Sequence, residues 1–178
     1  MRKVNVIGTS GSGKTTFSRA LADKLEVPCI ELDALFWKAN WEMSGDEEFV
    51  AKIAQCLEGD GWVLDGNYTR TIPVKWKEVD TVIWLDYPFR VTFYRALKRA
   101  VGRSLRGTEI WPGTGNRESF RKTFFSRDSV LLWTITSYGK VRKQYREMIG
   151  DPQYESIQFV HLTSPAAARR FLAALDSR

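Results

Sequence analysis

Hydrophobic and polar positions follow two periods along this chain, that of a buried strand and that of an amphipathic helix. Residues 3–7 form a short apolar run that ends at a glycine, which predicts a buried strand. Residues 14–25 place Phe17, Leu21 and Leu25 four apart, which predicts a helix. Further strands are predicted at residues 28–32, 62–64, 81–85 and 158–162, and further helices at residues 46–58, about 89–103, 118–148 in one or two pieces, and from Pro165 through Phe171, Leu172 and Leu175.

This order of elements predicts an α/β fold. Strands that alternate with helices build right-handed βαβ units, which gives a five-stranded parallel sheet with helices on both faces. In such a three-layer fold, ligands collect where strands end at their carboxyl termini. Glycine and proline cluster in residues 104–117, which predicts a loop or flap. We therefore expect one domain, residues 1–178, with a helical lid inserted at about 104–127.

The segment after the first predicted strand carries a phosphate-binding pattern. Residues 8–15 match G-x-x-x-x-G-K-[ST] at every fixed position, and they lie between a predicted strand and a predicted helix. Glycines let successive N–H groups point at phosphate oxygens, and the helix adds its positive end. We expect Lys14 to reach the β- and γ-phosphates and Thr15 to ligate Mg²⁺. The predicted nucleotide-binding residues here are Gly8, Ser10, Gly11, Ser12, Gly13, Lys14, Thr15 and Thr16.

Several classes of protein share such a loop. The guanine-specific N-K-x-D of GTPases does not occur in this sequence. Motor ATPases usually carry a glutamate beside the acidic residue at a strand end, whereas Asp86 is followed by Tyr87 and Pro88. A small kinase needs instead an acceptor site and an arginine-rich lid, and the chain has candidates for both.

The acceptor-site candidate follows the third predicted strand. Asp65-Gly66-Asn67-Tyr68-Thr69-Arg70 resembles the D-G-[FY]-P-R of adenylate-kinase-like nucleoside monophosphate kinases, in which the arginine holds the phosphate of the acceptor. The aromatic residue lies one position late, and no proline precedes the arginine. The resemblance implies acceptor-binding roles for Asp65, Gly66, Tyr68 and Arg70.

Two later segments extend this resemblance. Leu85-Asp86-Tyr87-Pro88 is similar to the D-V-P after the fourth strand of that family. Arg95 and Arg99 fall where its lid begins and where two arginines clasp the triphosphate, with Arg99 and Arg103 as an alternative frame. Ser164 and Pro165 resemble part of the loop against which adenine lies.

A closer resemblance spans most of the chain. Residues 30–37, 62–68, 117–121 and 126–129 look like the adenylate-kinase-like proteins labelled DNA topology modulation proteins. The resemblance implies a phosphate-loop kinase but does not name its acceptor.

Three aspartates have open roles. Asp33 ends the second predicted strand, where similar shikimate and gluconate kinases use an aspartate for an acceptor hydroxyl or for Mg²⁺. A helix N-cap is the alternative for Asp33. Asp86 is expected to hold Mg²⁺ through water. Asp65 either tethers the turn at Gly66 or binds the acceptor.

Charge is concentrated in one segment. The chain carries a net charge of +6, residues 95–127 carry +7, and the remainder carries −1. Such a cluster suits an anionic ligand, either a polyphosphate beneath a lid or a nucleic acid. We predict an ATP-dependent kinase that transfers the γ-phosphoryl group of ATP·Mg²⁺ to a nucleoside monophosphate or a similar small acceptor, with Lys14, Asp33, Arg95 and Arg99 as catalytic residues. The alternative is an ATP-switched nucleic-acid-binding protein that affects DNA topology.

The other features of the sequence bear on location and packing more than on catalysis. No apolar run approaches the roughly 20 residues that cross a bilayer, and the N-terminus lacks a signal-peptide core, so we expect a cytoplasmic protein. Cys29, Cys56 and His161 are predicted to serve packing. Trp37 and Trp41 are predicted to pack in the core, with stacking on a ring or base as the alternative. We expect a monomer whose partner is a small-molecule acceptor.

Overall fold

The structure is a computed structural model of the 178-residue chain. It describes residues 1–106, 109–111, 114–116 and 130–175, except for the side chains of residues 103–106 and 130–134.

Five strands and seven α-helices alternate along the described residues. The strands are β1 (Lys3–Gly8), β2 (Cys29–Glu31), β3 (Trp62–Asp65), β4 (Thr81–Leu85) and β5 (Gln158–Leu162). The helices are α1 (Lys14–Leu25), α2 (Leu32–Phe36), α3 (Asp46–Cys56), α4 (Ile72–Lys75), α5 (Phe89–Arg106), α6 (Val130–Ile149) and α7 (Pro165–Ala173). Single 3₁₀ turns lie at Ala39–Trp41, Thr69–Thr71 and Pro152–Tyr154.

All five strands are parallel and form one sheet in the order β2-β3-β1-β4-β5. This arrangement confirms the predicted α/β fold. β1 lies in the middle of the sheet, with β3 and then β2 on one side and β4 and then β5 on the other. Val6 of β1 stands opposite Asp65 of β3, so the phosphate-binding segment and the acceptor-site segment leave the sheet side by side.

The alternation of side chains along each strand builds a core on both faces of the sheet. On one face Val4 and Val6 pack with Phe17 and Leu21 of α1 and with Ala168 of α7. On the other face the core includes the buried residues Ile7, Leu64, Trp84, Phe49, Ile53 and Tyr145. Helices therefore cover both faces, as predicted.

The structure corrects several predicted boundaries. The predicted strand 28–32 ends at Glu31, and the chain turns directly into α2, so Asp33 lies in the first turn of a helix and not at a strand end. The four-residue α4 was not predicted, because so short a helix has no hydrophobic period.

The lid prediction is tested only in part. α5 runs to Arg106 and so enters the segment predicted as a loop from residue 104. α6 begins at Val130, whereas a helix was predicted from residue 118. The predicted lid residues 117–127 lie outside the described residues. No helix in the described part of the chain is long and apolar enough to span a membrane.

Candidate functional site

The phosphate-binding segment forms a tight loop between β1 and α1. Gly11 has a φ angle of +79°, and a Cβ atom there would collide with the carbonyl oxygen of Thr92 on α5. Only glycine fits both the backbone angle and the contact. The loop is closed by a hydrogen bond of 3.2 Å from the Ser12 N–H to the Thr9 carbonyl, and Gly13 is the N-cap of α1. The backbone therefore curls at the positive end of that helix.

Lys14 directs its charge back toward this loop. Its Nζ donates a hydrogen bond of 3.2 Å to the Thr9 carbonyl oxygen. Burial lowers the pKa of Lys14, and the carboxylates of Asp65 and Asp33 act in the opposite direction. The ammonium group thus sits between the phosphate loop and two acidic side chains.

Thr15 and Asp65 join the phosphate loop to the end of β3. The Thr15 hydroxyl donates a hydrogen bond of 2.5 Å to Asp65 Oδ2. Burial raises the pKa of Asp65, and Lys14 and the Thr15 hydrogen bond oppose that shift. Within the described residues, the buried second oxygen, Oδ1, has no hydrogen-bond partner. A carboxylate oxygen that lies unpaired beside a threonine hydroxyl suits Mg²⁺ or one of its waters.

Arg95 and Arg99 reach the phosphate loop from α5. Nη1 of Arg95 donates to the Ser12 carbonyl at 3.3 Å, and Nη2 of Arg99 donates to the Ser10 hydroxyl at 3.1 Å. The two arginines lie on one helical face because they are four residues apart. The alternative frame with Arg103 is not decided, because that side chain lies outside the described residues.

The acceptor-site candidates split into two groups. The Tyr68 hydroxyl donates a hydrogen bond of 2.7 Å to Asp33 Oδ1, and the Tyr68 ring packs against Phe36 and Phe49. Burial and the neighbouring Asp33 carboxylate raise the pKa of Tyr68, so its hydroxyl remains a proton donor. Asp33 itself is exposed. The Asp33 carboxylate lies near Lys14, and its negative charge acts to raise the pKa of that lysine.

Arg70 is exposed and pairs with a different carboxylate, although it faces the same Phe36 and Phe49 rings on which Tyr68 packs and its charge acts to lower the pKa of Tyr68. Its guanidinium is 3.2 Å from an Asp46 carboxylate oxygen and sits 5.1 Å from the centre of the Phe36 ring. Gly66, at the start of the same segment, packs so closely on α2 that a Cβ atom would lie 2.9 Å from the Cβ of Leu32. The segment is thereby held against the helix that carries Asp33.

Asp86 has different partners from those that a metal role requires. Its buried carboxylate forms an ion pair with Arg142 of α6, with Arg142 Nε 2.6 Å from Oδ1, and Nη2 donates to Oδ2 at 3.0 Å. His161 Nε2 lies 3.0 Å from Oδ2, and the His161 ring stacks on Trp84. The predicted Mg²⁺ role of Asp86 stays a prediction, since both carboxylate oxygens already face basic groups.

The remaining predicted residues lie on or beside this end of the sheet. Thr16 is exposed in the first turn of α1. Ser164 is the N-cap of α7 and accepts a hydrogen bond of 3.2 Å from the Ala167 N–H, and Pro165 occupies the first turn. Their predicted contact with adenine is not tested. No cluster of three or more His, Cys, Asp or Glu side chains suited to a metal occurs among the residues that the structure describes.

Two residues beside the loop, Asn67 and Lys75, were not predicted from the sequence. The Asn67 side chain is hydrogen-bonded to the backbone of Gly8, and Lys75 is buried beneath the loop at residues 66–67. For Asn67 the sequence did hold a signal, because adenylate-kinase-like kinases have an aromatic residue at this position. Lys75 had no such signal, because a lysine by itself predicts exposure.

The two tryptophans assigned to packing lie in an aromatic row. Trp41 packs edge-on against Trp37 and against Trp111 of the predicted lid. The buried side chain of Asn116 also accepts from the Trp41 N–H and donates to the Lys38 carbonyl, both at 2.8 Å. The described lid residues thus rest on the segment between α2 and α3.

No family model matches the chain, and no curated protein matches it in sequence. Solved structures match it in fold. A sugar kinase from Janibacter sp. HTCC2649 has a TM-score of 0.54 and 19% identity, covering 99% of this chain and 95% of that chain. A gluconokinase from Sinorhizobium meliloti 1021 has a TM-score of 0.51 and 19% identity, with 99% and 92% covered. A shikimate kinase from Acinetobacter baumannii, solved with shikimate, has a TM-score of 0.54 and 20% identity, with 99% and 92% covered. The chain therefore has the fold of the phosphate-loop kinases.

Proposed function

We propose that this protein is an ATP-dependent small-molecule kinase of the adenylate-kinase-like type. The observation that carries the proposal is the contact between Thr15 and Asp65, made where the phosphate loop and the end of β3 leave the sheet together. In phosphate-loop enzymes, the loop Ser or Thr and a strand-end aspartate hold Mg²⁺ together. We therefore assign the metal to Thr15 and Asp65 in preference to Asp86.

The nucleotide is proposed to lie on residues 8–15. The backbone curl at Gly11 and Gly13, the Lys14 ammonium and the two α5 arginines all face this loop. Bound Mg²⁺ would neutralise charge on the phosphate oxygens. Lys14, Arg95 and Arg99 would stabilise the negative charge that develops in the transition state. The lid at about 104–127 would close over the site and exclude water.

The transfer breaks the bond between the γ-phosphorus and its bridging oxygen and forms a bond to an acceptor oxygen. Asp33 is proposed to orient the acceptor, because the Tyr68 hydroxyl fixes one of its oxygens and leaves the other for a ligand. A hydroxyl acceptor would give its proton to this carboxylate or to water. Tyr68 then acts by holding Asp33.

Two acceptor classes are compatible with these residues. Arg70 and the resemblance to adenylate-kinase-like proteins, among them the DNA topology modulation group, favour a nucleoside monophosphate. Asp33 and the fold neighbours named for sugars, gluconate and shikimate favour a hydroxylated small molecule. We propose a monomeric, cytoplasmic enzyme that acts on one of these. Nucleic-acid binding has less support, because Arg95 and Arg99 of the basic segment face the phosphate loop.

The test measures ADP formed from ATP·Mg²⁺ alone and with nucleoside monophosphates, nucleosides, shikimate or gluconate. We expect one acceptor class to raise the rate strongly. Lys14→Met should lower that rate by on the order of 10²-fold or more, because it removes a charge that stabilises the transition state. Cys56→Ser, at an exposed position, is the control and should match the wild type. A rate that is flat across the panel but rises with DNA would replace the kinase proposal with the nucleic-acid alternative.

A further inference from the structure

The side chain of Asn67 continues the β1–β3 ladder beyond its last backbone pair. The Gly66 N–H donates to the Val6 carbonyl at 3.2 Å. One residue further, the Gly8 N–H donates to Asn67 Oδ1 at 3.0 Å, and Asn67 Nδ2 donates to the Gly8 carbonyl at 2.9 Å. A side-chain amide thus pairs with both backbone groups of the residue at which the phosphate loop begins.

A buried lysine holds the backbone on the other side of Asn67. Lys75 is fully buried, and its Nζ donates to the Asn67 carbonyl and, at 3.4 Å, to the Gly66 carbonyl. Asn5 Nδ2 donates to the same Gly66 oxygen at 3.2 Å. Burial lowers the pKa of Lys75 to about 7, and among the described residues no carboxylate compensates for that burial. An amine in this position costs stability, which a methionine of similar length would avoid.

The backbone just after Asn67 is strained. Tyr68 has a φ angle of +25°, which is rare for a bulky residue. Its carbonyl accepts from both the N–H and the hydroxyl of Thr71, at 2.9 and 2.8 Å. Such strain persists only where several neighbours fix the backbone, and it collects at functional sites. Lys75 and Thr71 fix this backbone from both sides of the strained residue.

We propose that Asn67, supported by Lys75, is a positioning residue that fixes the first residue of the phosphate loop for nucleotide binding. The inference rests on the proposed function. Asn67 acts through the Gly8 backbone, whose place decides where the following N–H groups of the loop point. Lys75 acts one step further away, because it holds the carbonyl of Asn67 itself.

The experiment measures the dissociation constant for ATP by calorimetry, with EDTA and with Mg²⁺, well below the melting temperature of each variant. Asn67→Ala is expected to weaken ATP binding about tenfold or more under both conditions, since two hydrogen bonds to the loop are lost. Asn67→Asp keeps the acceptor for the Gly8 N–H but turns a carboxylate oxygen toward the Gly8 carbonyl and adds a negative charge beside the loop, so it should also weaken ATP binding. Asp80→Ala removes a similar pair of side-chain hydrogen bonds, which Asp80 accepts from the N–H groups of Arg2 and Lys3 at the other end of β1, and it should bind ATP as the wild type does.

Lys75→Met removes both hydrogen bonds of Nζ without leaving a large cavity, and it should weaken ATP binding several-fold. This variant and Asn67→Asp carry the test if Asn67→Ala does not fold. Unchanged ATP binding in folded Asn67 and Lys75 variants would overturn the inference, and lower melting temperatures alone would assign them a structural role. A wild-type protein that binds no ATP would instead overturn the proposed function.

Discussion

The pKa values of two lysines in this protein respond to burial differently because the lysines have different neighbours. Lys14 lies near Asp65 and Asp33, which oppose the effect of its burial on the pKa. Among the described residues, Lys75 has backbone carbonyls and the Trp76 ring as partners but no carboxylate, so burial brings its pKa to about 7. The first remains suited to hold a polyphosphate, whereas the second is suited to hold a loop.

The low pKa of Lys75 makes the stability of the protein depend on pH. Its ordinary pKa is 10.5, so between about pH 7 and 10.5 the unfolded chain binds more protons than the folded one. The free energy of unfolding of the wild type should therefore rise with pH relative to Lys75→Met, by at most about 1.4 kcal/mol per pH unit. Urea unfolding at pH 6, 8 and 10 checks this. A gap between the two proteins that stays constant across this range would contradict the assigned pKa.

At Gly11 the surroundings decide which residue the backbone can carry. Gly11→Ala adds a Cβ atom that meets the Thr92 carbonyl, at a φ angle of +79°. We expect a loss of about 1–3 kcal/mol in stability from the strained angle and a marked loss of ATP binding. Thermal unfolding and calorimetry measure both. Gly45→Ala, where a Cβ atom meets no neighbour within 4 Å, is the control and should retain ATP binding.

At the scale of elements, an ion pair attaches α6 to the sheet. Arg142 reaches the buried Asp86 at the end of β4, and the Tyr138 hydroxyl donates to the Tyr87 carbonyl at 2.9 Å. These contacts fix α6, which follows the predicted lid, at the carboxyl end of β4. That strand is the neighbour of β1, which leads into the phosphate loop.

Removing this attachment should destabilise the fold. Arg142→Ala leaves the Asp86 carboxylate buried without its main partner, so we expect a loss of about 1–3 kcal/mol. The next residue offers a matched control, because the contact that Lys143 makes within the described part of the chain is an exposed i,i+4 pair with Glu147. Lys143→Ala should change stability by less than about 0.5 kcal/mol. Equal effects of the two substitutions in urea unfolding would show that the buried pair adds nothing.

At the scale of the whole molecule, the charge distribution separates the two functional hypotheses. The net charge of +6 arises from residues 95–127, and the described arginines of that segment turn toward the phosphate loop. A surface that binds nucleic acid would instead present its basic groups outward. The positions of Arg95 and Arg99 thus suit a polyphosphate ligand.

This difference predicts the behaviour toward DNA. Fluorescence anisotropy with a labelled duplex at about 0.15 M salt should show no binding, with or without ATP. Binding with a log–log salt slope of roughly −0.9 per phosphate contacted would mean that the segment meets a DNA backbone. The Arg95→Ala variant serves as comparison, since it should lose ATP binding without changing the response to DNA.

The sequence by itself determined the order of the five strands and of the longer helices, though not the short helices α2 and α4, and with it the parallel sheet and the phosphate loop. Those features follow from local patterns, namely short apolar runs, helical periodicity and a glycine pattern with fixed spacing. The tertiary structure decided the rest of the site. Asp65 became the partner of Thr15, and Asp86 that of Arg142, because strand order set which strand ends are neighbours. Asn67 and Lys75 gained their roles from contacts between segments that periodicity does not encode.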